Sequence, residues 1–151
     1  MQKVTIINHL KGAPGLRILG LGPNLIPCKG LEKLREFLTI NTFWGKNRKL
    51  SELKVSLSNS DVIVSIWNKG KIIGFGRALS DGIYRSVLWD VVIDKNHQGN
   101  GYGSMLVKTI LNAQQIKNSQ KVYLMTTNKK EFYCQLDFKE VFSQNLLIRE
   151  I

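Results

Sequence analysis

Residues 88–104 read LWDVVIDKNHQGNGYGS. An apolar segment ends here in a short polar loop, and glycines at positions 99, 101 and 103 then open a segment with helical periodicity. Glycines at alternate positions let backbone N–H groups approach a ligand without an intervening Cβ atom. The following helix adds unpaired N–H groups and the positive end of its dipole. The segment therefore predicts a strand, a loop and a helix that together cradle an anionic group such as a pyrophosphate.

Three ligand classes bind in such cradles, and the spacing of the glycines separates them. A P-loop requires a lysine after the glycines, and none follows here. A dinucleotide-binding loop requires G-x-G-x-x-G at the end of a strand and an acidic residue ~20 positions later. Here the glycines are spaced G-x-G-x-G after a loop, and the next apolar segment ends in Thr126 and Thr127. Neither of these motifs fits.

The remaining pattern is Gln98-x-x-Gly101-x-Gly103, which resembles the pyrophosphate loop of the GNAT superfamily of N-acetyltransferases. Residues 91–98, VVIDKNHQ, resemble the family's strand end, with Lys95 in place of the usual proline. Residues 132–138, FYCQLDF, resemble a second family motif, with Asp137 in place of a glycine. The ordered set of these motifs spans residues 62–138, and a narrower resemblance to one group within the family covers about residues 31–149.

A narrower resemblance is carried by residues 73–81, IGFGRALSD, together with residues 88–93, LWDVVI. Both are similar to the plastid and cyanobacterial acetyltransferases that include serotonin N-acetyltransferase. This resemblance implies a plastid-encoded protein of the chloroplast stroma, and the Lys-, Ile- and Asn-rich composition is typical of AT-rich plastid genomes. A cyanobacterial cytoplasm is the alternative location.

The periodicity of the chain predicts alternating helices and strands of an α+β protein. Leucines at helical spacing predict amphipathic helices beginning near Leu31 and Leu50, and a further helix spans residues 103–118. A short helix is predicted over residues 129–136 by Phe132 and Leu136 at i, i+4. Strands are predicted at residues 62–67, 72–78 and 87–93, which form an antiparallel meander, and at residues 122–126 and 142–148.

One domain is expected over residues 1–151, of mixed α/β (α+β) class. The resemblance implies the GNAT fold, in which a mostly antiparallel sheet splays between its fourth and fifth strands and helices flank it. Residues 1–30 contain all three prolines and five of the glycines, which excludes a long element. They predict either an irregular arm or a short edge strand at residues 16–21.

The net charge of +11 and the pI of 9.8 favour a polyanionic partner. A basic nucleic-acid-binding module is therefore the alternative from another class, although no RNA-binding, zinc-finger or helix-turn-helix signature supports a specific nucleic acid. Two cysteines and two histidines lack metal-ligand spacing, so no metal site and no disulfide framework are expected. No signal or transit peptide and no apolar run of ~20 residues is present, which predicts no membrane association.

The family resemblance implies acetyl-CoA as the acetyl donor, with pantetheine inserted between the fourth and fifth strands. Tyr133 matches the family position that protonates the departing thiolate, and its alternative role is that of a core aromatic. No glutamate is present in the fourth strand, so Asp90 and Asp81 are the candidates for proton acceptor or amine anchor, against a role as turn or surface acids. The implied cofactor-binding residues are Val91, Val92, Ile93, Gln98, Gly99, Gly101, Gly103, Ser104 and Asn128.

The predicted activity is acetyl-CoA-dependent N-acetylation of a primary amine. The resemblance implies serotonin- or tryptamine-like arylalkylamines and protein lysines as acceptors, and a monomer or homodimer. Phe43, Trp44, Trp67 and Trp89 either line an aromatic acceptor pocket or belong to the core. A GNAT domain that binds coenzyme A without catalysis is the further alternative, because Lys95, Asp137 and the missing glutamate depart from the family pattern.

Overall fold

The computed structural model describes residues 3–151 and contains five strands and five α-helices in that range. The strands are β1 (Thr5–Asn8), β2 (Val62–Asn68), β3 (Lys71–Ser80), β4 (Arg85–Ile93) and β5 (Lys121–Tyr123). The helices are α1 (Pro14–Leu19), α2 (Gly30–Asn41), α3 (Leu50–Ser58), α4 (Tyr102–Leu111) and α5 (Lys130–Cys134). Short 3₁₀ turns lie at Pro23–Leu25 and Lys95–His97. No described helix is both long enough and apolar enough to cross a bilayer.

The strands form a single sheet in the order β1-β2-β3-β4-β5. The first four are antiparallel neighbours, which confirms the predicted meander. β5 runs parallel to β4, and α4 lies in the crossover that a parallel connection requires. The two strands pair only from Arg85 opposite Lys121 to Val87 opposite Tyr123. Within residues 3–151, the rest of β4, residues 88–93, has no pairing partner on this side, so the predicted splay between the fourth and fifth strands is confirmed.

Each face of the sheet is covered by helices, and two hydrophobic clusters result. Helices α1, α2 and α3 cover one face, where Trp67 and Phe75 are fully buried. Helix α4 covers the other face, with Leu106 and Ile110 fully buried. Gly76 allows α4 to lie this close to β3, because a Cβ atom there would stand 2.8 Å from Ile110 Cδ1. The close packing places the N-terminus of α4 beside the end of β4.

A β-bulge interrupts the pairing of β3 with β4. Phe75 pairs with Val92 and Arg77 with Trp89, so Gly76 stands opposite two residues of β4, Asp90 and Val91. Asp90 has a φ of 55°, in the left-handed region that Asp tolerates better than most residues. The bulge turns the Asp90 side chain away from the direction that regular strand alternation would give it.

The N-terminal region differs from its prediction. Residues 16–21 do not form a strand, because Pro14 starts helix α1 and Gly20 ends it with a φ of 63°. The edge strand of the sheet is instead β1, which pairs with β2 from Thr5 opposite Trp67 to Asn8 opposite Val64. The sequence predicts β1 only weakly, because a strand of four residues shows little periodicity. Residues 1 and 2 of the predicted arm lie outside the described residues.

The C-terminal third is more irregular than predicted. The helix predicted over residues 103–118 ends at Leu111, and the strand predicted over 122–126 is reduced to β5. The closing strand predicted over 142–148 is wrong for this structure. Within residues 3–151 this segment pairs with no strand, and Phe142 is 87% exposed. Its apolar composition satisfies strand propensity, but a strand also needs a hydrogen-bonding neighbour, and the described strands provide none here.

His9 follows β1 and lies against the sheet. Its Nε2 atom is 2.8 Å from the Oγ atom of Ser65, which is fully buried and also accepts a hydrogen bond from Trp67 Nε1. Burial lowers the pKa of His9 from 6.5 to about 4. At neutral pH the folded protein therefore holds His9 uncharged.

This pKa predicts that the protein loses stability between pH 7 and pH 5. The unfolded chain binds a proton at His9 below about pH 6.5 whereas the folded chain does not, so the free energy of unfolding falls by about 2 kcal/mol over that interval. The expected fall in Tm is about 4–8 °C, measured by thermal denaturation at a series of pH values. His9→Gln should flatten the curve, and an equally steep curve in that variant would contradict the assignment.

Candidate active site

The glycine loop joins β4 to α4 and begins at Asp94. Asp94 Oδ1 accepts a hydrogen bond from the Asn96 amide at 2.9 Å and lies 2.9 Å from His97 Nδ1. Partial burial raises the pKa of Asp94, but the hydrogen bonds from His97 and Asn96 outweigh it and leave the pKa below its usual value. The ionised carboxylate thus sets the start of the loop, and Gln98 Nε2 donates back to Ile93 O at 3.2 Å.

The loop presents open backbone at two of its three glycines. Gly99 and Gly101 have φ values of 80° and 83°, which L side chains rarely adopt, and a Cβ atom at either would meet nothing within 4 Å. Within residues 3–151, no hydrogen bond uses the amide N–H of Gly99, Gly101, Gly103 or Ser104 as donor. These groups are the unpaired donors of the α4 N-terminus and of the loop before it. The loop therefore presents a surface of free backbone donors, and its role as an anion cradle stays a prediction.

Gly103 has a different role from the other two glycines. A Cβ atom there would lie 3.1 Å from the Phe132 ring, so its missing side chain lets α4 pack against α5. Phe132 in turn contacts Tyr133 edge to face, with ring centroids 4.9 Å apart. The second family-like motif is thereby brought to the glycine loop.

The free edge of β4 faces the same region. Val91 and Ile93 are half-buried and pack in the hydrophobic cluster of α4, which also contains Phe132 and Tyr133. Val92 is buried in the cluster on the other face. Asn128 is exposed in the segment that follows β5. The gap is thus bounded by backbone that carries most of the predicted cofactor-binding residues.

Tyr133 is half-buried and packs between two aromatic rings. It makes edge-to-face contacts with Phe132 and with Phe138, whose ring centroid is 5.8 Å away. Burial raises the pKa of its phenol above the usual value of 10. The hydroxyl therefore keeps its proton at neutral pH, which a proton donor requires and which an ordinary core tyrosine also satisfies.

Asp90 is enclosed by two guanidinium groups. Arg48 donates to both carboxylate oxygens, at 2.7 and 3.1 Å, and Arg77 Nε donates at 2.8 Å. The Asp90 side chain is 6% exposed. Desolvation raises its pKa, but the hydrogen bond from Arg48 and the charge of Arg77 outweigh it, and the pKa lies below its usual value. The carboxylate is thus engaged on both oxygens, unlike the free carboxylate expected of a direct proton acceptor or of an anchor for a cationic amine.

Sequence reasoning missed both of these arginines. Arg77 could have been found, because the β3–β4 meander brings its position opposite the fourth strand. Arg48 lies in the α2–α3 loop, 42 residues from Asp90, and no sequence signal links the two.

Asp81 lies in the turn between β3 and β4. Its Oδ1 atom accepts hydrogen bonds from the backbone amides of Ile83, Tyr84 and Arg85, which lower the pKa of this exposed carboxyl. The glycine loop follows the opposite end of β4, about 25 Å of extended strand away. The geometry therefore supports the turn-forming alternative for Asp81 and separates it from the other candidate residues.

The four aromatic residues proposed for an acceptor pocket divide into two groups. Trp67 is 1% exposed in the core beneath α2 and α3, which agrees with the core alternative and excludes the pocket alternative for this residue. Phe43 and Trp44 are exposed in the α2–α3 loop, and the Arg48 guanidinium lies 4.7 Å from the Trp44 ring centroid. Trp89 is half-buried next to Asp90. These three residues remain candidates for contact with an acceptor.

No group of three or more His, Cys, Asp or Glu side chains in the described part of the chain is arranged to hold a metal ion. Cys28 and Cys134 are both free thiols.

Comparison with known proteins identifies similar sequences. Residues 59–140 match the family described as an acetyltransferase (GNAT) domain. The chain is 31% identical over 143 residues to "Uncharacterized N-acetyltransferase ycf52" of Gracilaria tenuistipitata var. liui, a match that spans 91% of the chain and 76% of that relative. It is 36% identical over 81 residues to the protein of the same name from Pyropia yezoensis, across 51% of the chain. That match spans only 45% of the Pyropia protein's length.

A chloroplast relative and a solved structure extend the comparison. The chain is 27% identical over 94 residues to "GCN5-related N-acetyltransferase 1, chloroplastic" of Arabidopsis thaliana, across 60% of the chain and 48% of that protein. Its fold matches the crystal structure of a putative acetyltransferase of the GNAT family from Xanthomonas campestris with a TM-score of 0.72. That likeness covers 100% of the chain and 95% of the solved one at 20% identity, which confirms the predicted GNAT fold.

Proposed function

Since this chain belongs to the acetyltransferase (GNAT) family, we propose that it transfers the acetyl group of acetyl-CoA to a primary amine. The observation that carries the proposal is the row of free amide donors at Gly99, Gly101, Gly103 and Ser104 beside the unpaired edge of β4. A pyrophosphate needs several N–H donors at a helix N-terminus, and an extended pantetheine arm needs a free strand edge. Both lie next to each other here.

The residues present suit acetyl-CoA at this site. The loop amides from Gln98 to Ser104 would hold the pyrophosphate, and the backbone of residues 91–93 would pair with the pantetheine arm. Asn128 would contact that arm from the β5 side. The loop also lies in a protein of net charge +11, which favours a phosphate-rich ligand.

The proposed chemistry needs a neutral amine, which attacks the thioester carbonyl while the carbon–sulfur bond breaks. The products are an amide and the free thiol of coenzyme A. In our proposal Tyr133 supplies the proton to the thiolate, since its phenol remains protonated. The amine proton leaves to water, because Asp90 and Asp81 both have their carboxylates engaged. Asp90 acts as a positioning residue that ties the α2–α3 loop to the bulge of β4.

The acceptors and the location are also proposals. Arylalkylamines and protein lysines are the classes implied by the resemblance, and exposed Phe43 and Trp44 beside Arg48 support an aromatic or peptide acceptor. Relatives that are named chloroplastic support a plastid location. Nucleic-acid binding, the alternative from another class, predicts a complex that survives physiological salt.

The cofactor site is tested by Gly101→Ala. The added methyl group would enter the open side of the loop, where the pyrophosphate must contact backbone, so affinity for coenzyme A should fall at least about tenfold in calorimetry. Alanine is chosen over a branched residue because a φ of 83° already costs an L residue about 1 kcal/mol of stability.

Gly82→Ala is the matched control for this experiment. Gly82 has a φ of 80° and equally open space around its Cα, but it lies in the β3–β4 turn. Both variants should lose similar stability, and only Gly101→Ala should lose coenzyme A affinity. Equal coenzyme A affinities in the two variants would contradict the assignment of the glycine loop to the pyrophosphate, and with it the proposed acetyl-CoA site.

A further inference from the structure

We propose that the acceptor amine carries an anionic group, a carboxylate or a phosphate, that binds the guanidinium groups of Arg48 and Arg77. The inference rests on the proposed function and narrows its substrate class. It favours acceptors such as aromatic amino acids or lysines in acidic peptides over simple cationic arylalkylamines.

The ion cluster beside β4 has an excess of positive charge. Two guanidinium groups surround the single carboxylate of Asp90, so one positive charge is not compensated within the cluster. A guanidinium has five N–H donors. Arg48 uses one from each terminal nitrogen on Asp90, and Arg77 uses Nε on Asp90 and one terminal nitrogen on Ser60. Donors remain on both, and the Arg48 side chain is 29% exposed, so a ligand can reach it.

The α2–α3 loop holds the positively charged Arg48 close to the site proposed for acetyl-CoA. Asn41 Oδ1, at the end of α2, accepts from the Lys95 amide at 3.1 Å, and Arg48 holds Asp90. The loop is therefore fastened to β4 on both sides of residues 91–93, the edge assigned to pantetheine. Because the glycine loop follows Ile93, an arm that runs back along this edge brings its thioester end towards Asp90 and Arg48.

The loop itself is basic and aromatic. Residues 42–49 read TFWGKNRK and contain no acidic residue. Trp44 lies under the Arg48 guanidinium and orients it, and Lys46 and Lys49 are exposed on the same loop. Carboxylates and phosphates are bound by such planar guanidinium forks through charge-assisted hydrogen bonds. A cationic alkylamine would meet repulsion instead, because Asp90, the one carboxylate in contact with Arg48 and Arg77, is already neutralised by them.

The test compares acceptor pairs that differ by one anionic group. Tryptophan against tryptamine, and a lysine peptide with flanking Glu against the same peptide with flanking Gln, probe carboxylates, while phosphoethanolamine against ethanolamine probes phosphate. Initial rates of coenzyme A release should give a kcat/KM about tenfold or more higher for the anionic member of a pair. The advantage should shrink as the salt concentration rises.

Two variants locate the effect. Arg48→Gln should abolish the preference for the anionic acceptor, whereas Lys54→Gln removes the same charge from the exposed face of α3 and should keep it. The comparison of acceptor pairs in the wild-type protein does not depend on this variant, so it tests the inference even if Arg48→Gln lowers stability. Equal or faster turnover of the cationic member in every pair would overturn this inference and leave the proposed function intact. Absence of acetyl transfer to every acceptor would overturn the proposed function itself.

Discussion

Tyr133→Phe should lower turnover by about 10² or more while acetyl-CoA affinity and Tm stay nearly unchanged. The substitution removes only the hydroxyl group, and the ring keeps its edge-to-face contacts with Phe132 and Phe138. The thiol of the leaving group has a pKa of about 8.5, so the thiolate can leave without a proton, and the reaction should be slowed and not abolished. Steady-state kinetics with a saturating amine, together with calorimetry of acetyl-CoA binding, would measure both quantities.

The pH profile adds a second readout for Tyr133. Because burial raises the pKa of its phenol, the donor form is present throughout the neutral range, and its loss should appear only as an alkaline decline. Tyr84→Phe is the matched control, since Tyr84 is an exposed residue of the β3–β4 turn and should keep wild-type turnover. Wild-type turnover in Tyr133→Phe, with chemistry shown to be rate-limiting, would make Tyr133 a core aromatic and leave the thiolate to be protonated by water.

Asp90→Asn should lower the free energy of unfolding by about 3–5 kcal/mol and Tm by about 6–20 °C. Asparagine keeps the shape of the side chain and tolerates the left-handed φ of 55°, so the change removes little except the charge. Arg48 and Arg77 are then left close together without a compensating carboxylate on a largely buried site. Thermal and urea denaturation would measure the loss.

The ion pairs of Asp90 with Arg48 and Arg77 are called the Asp90 clamp below. Two comparisons distinguish the stabilising role of this clamp from other roles of Asp90. Glu140→Gln removes one partner of an exposed ion pair, Lys130 with Glu140 at 3.1 Å, and should change stability by less than about 0.5 kcal/mol. A double-mutant cycle with Arg48→Gln should show a large coupling energy, since the two side chains share two hydrogen bonds. Unchanged stability with complete loss of turnover in Asp90→Asn would instead return Asp90 to the role of proton acceptor.

The same clamp gives a pH dependence of known sign. A folded-state pKa below the unfolded value of about 3.9 stabilises the protein above that pH, and the contribution is lost as the pH falls through the folded pKa. Asp81 and Asp94, whose pKa values are also lowered, contribute in the same pH range, so only the part of the acid-induced loss that Asp90→Asn removes reports on Asp90. The loss between pH 7 and pH 5 reports on His9.

The elements around the glycine loop could be predicted because their signals are local. Strand alternation, two short turns and a helical leucine pattern determined β2, β3, β4, α2 and α3 from neighbouring residues alone. The free donors of the loop follow from Gly99 and Gly101 before a helix. The motif around Tyr133 lies next to the glycine loop because Gly103 has no side chain and lets α4 pack closely against Phe132. This glycine is also visible in the sequence.

Elements whose existence depends on a distant partner were predicted poorly. β1 is a strand because residues 5–8 pair with residues 64–67, and residues 142–148 are not a strand because no described strand pairs with them. Leu16 lies in a helix between Pro14 and Gly20, although its apolar neighbours also satisfied a strand pattern. Apolar runs of this length do not distinguish the two structures.

The sequence by itself determined the family, the order of the central elements and the glycine loop with its free backbone amides. Tertiary structure decided what each carboxylate does. Asp90 is held by arginines 42 and 13 positions away, and Asp81 accepts hydrogen bonds from the backbone amides of its own turn. The charge state and reactivity of an acidic side chain depend on the groups within about 4 Å and on its exposure to water, and the chain sets both only when it folds.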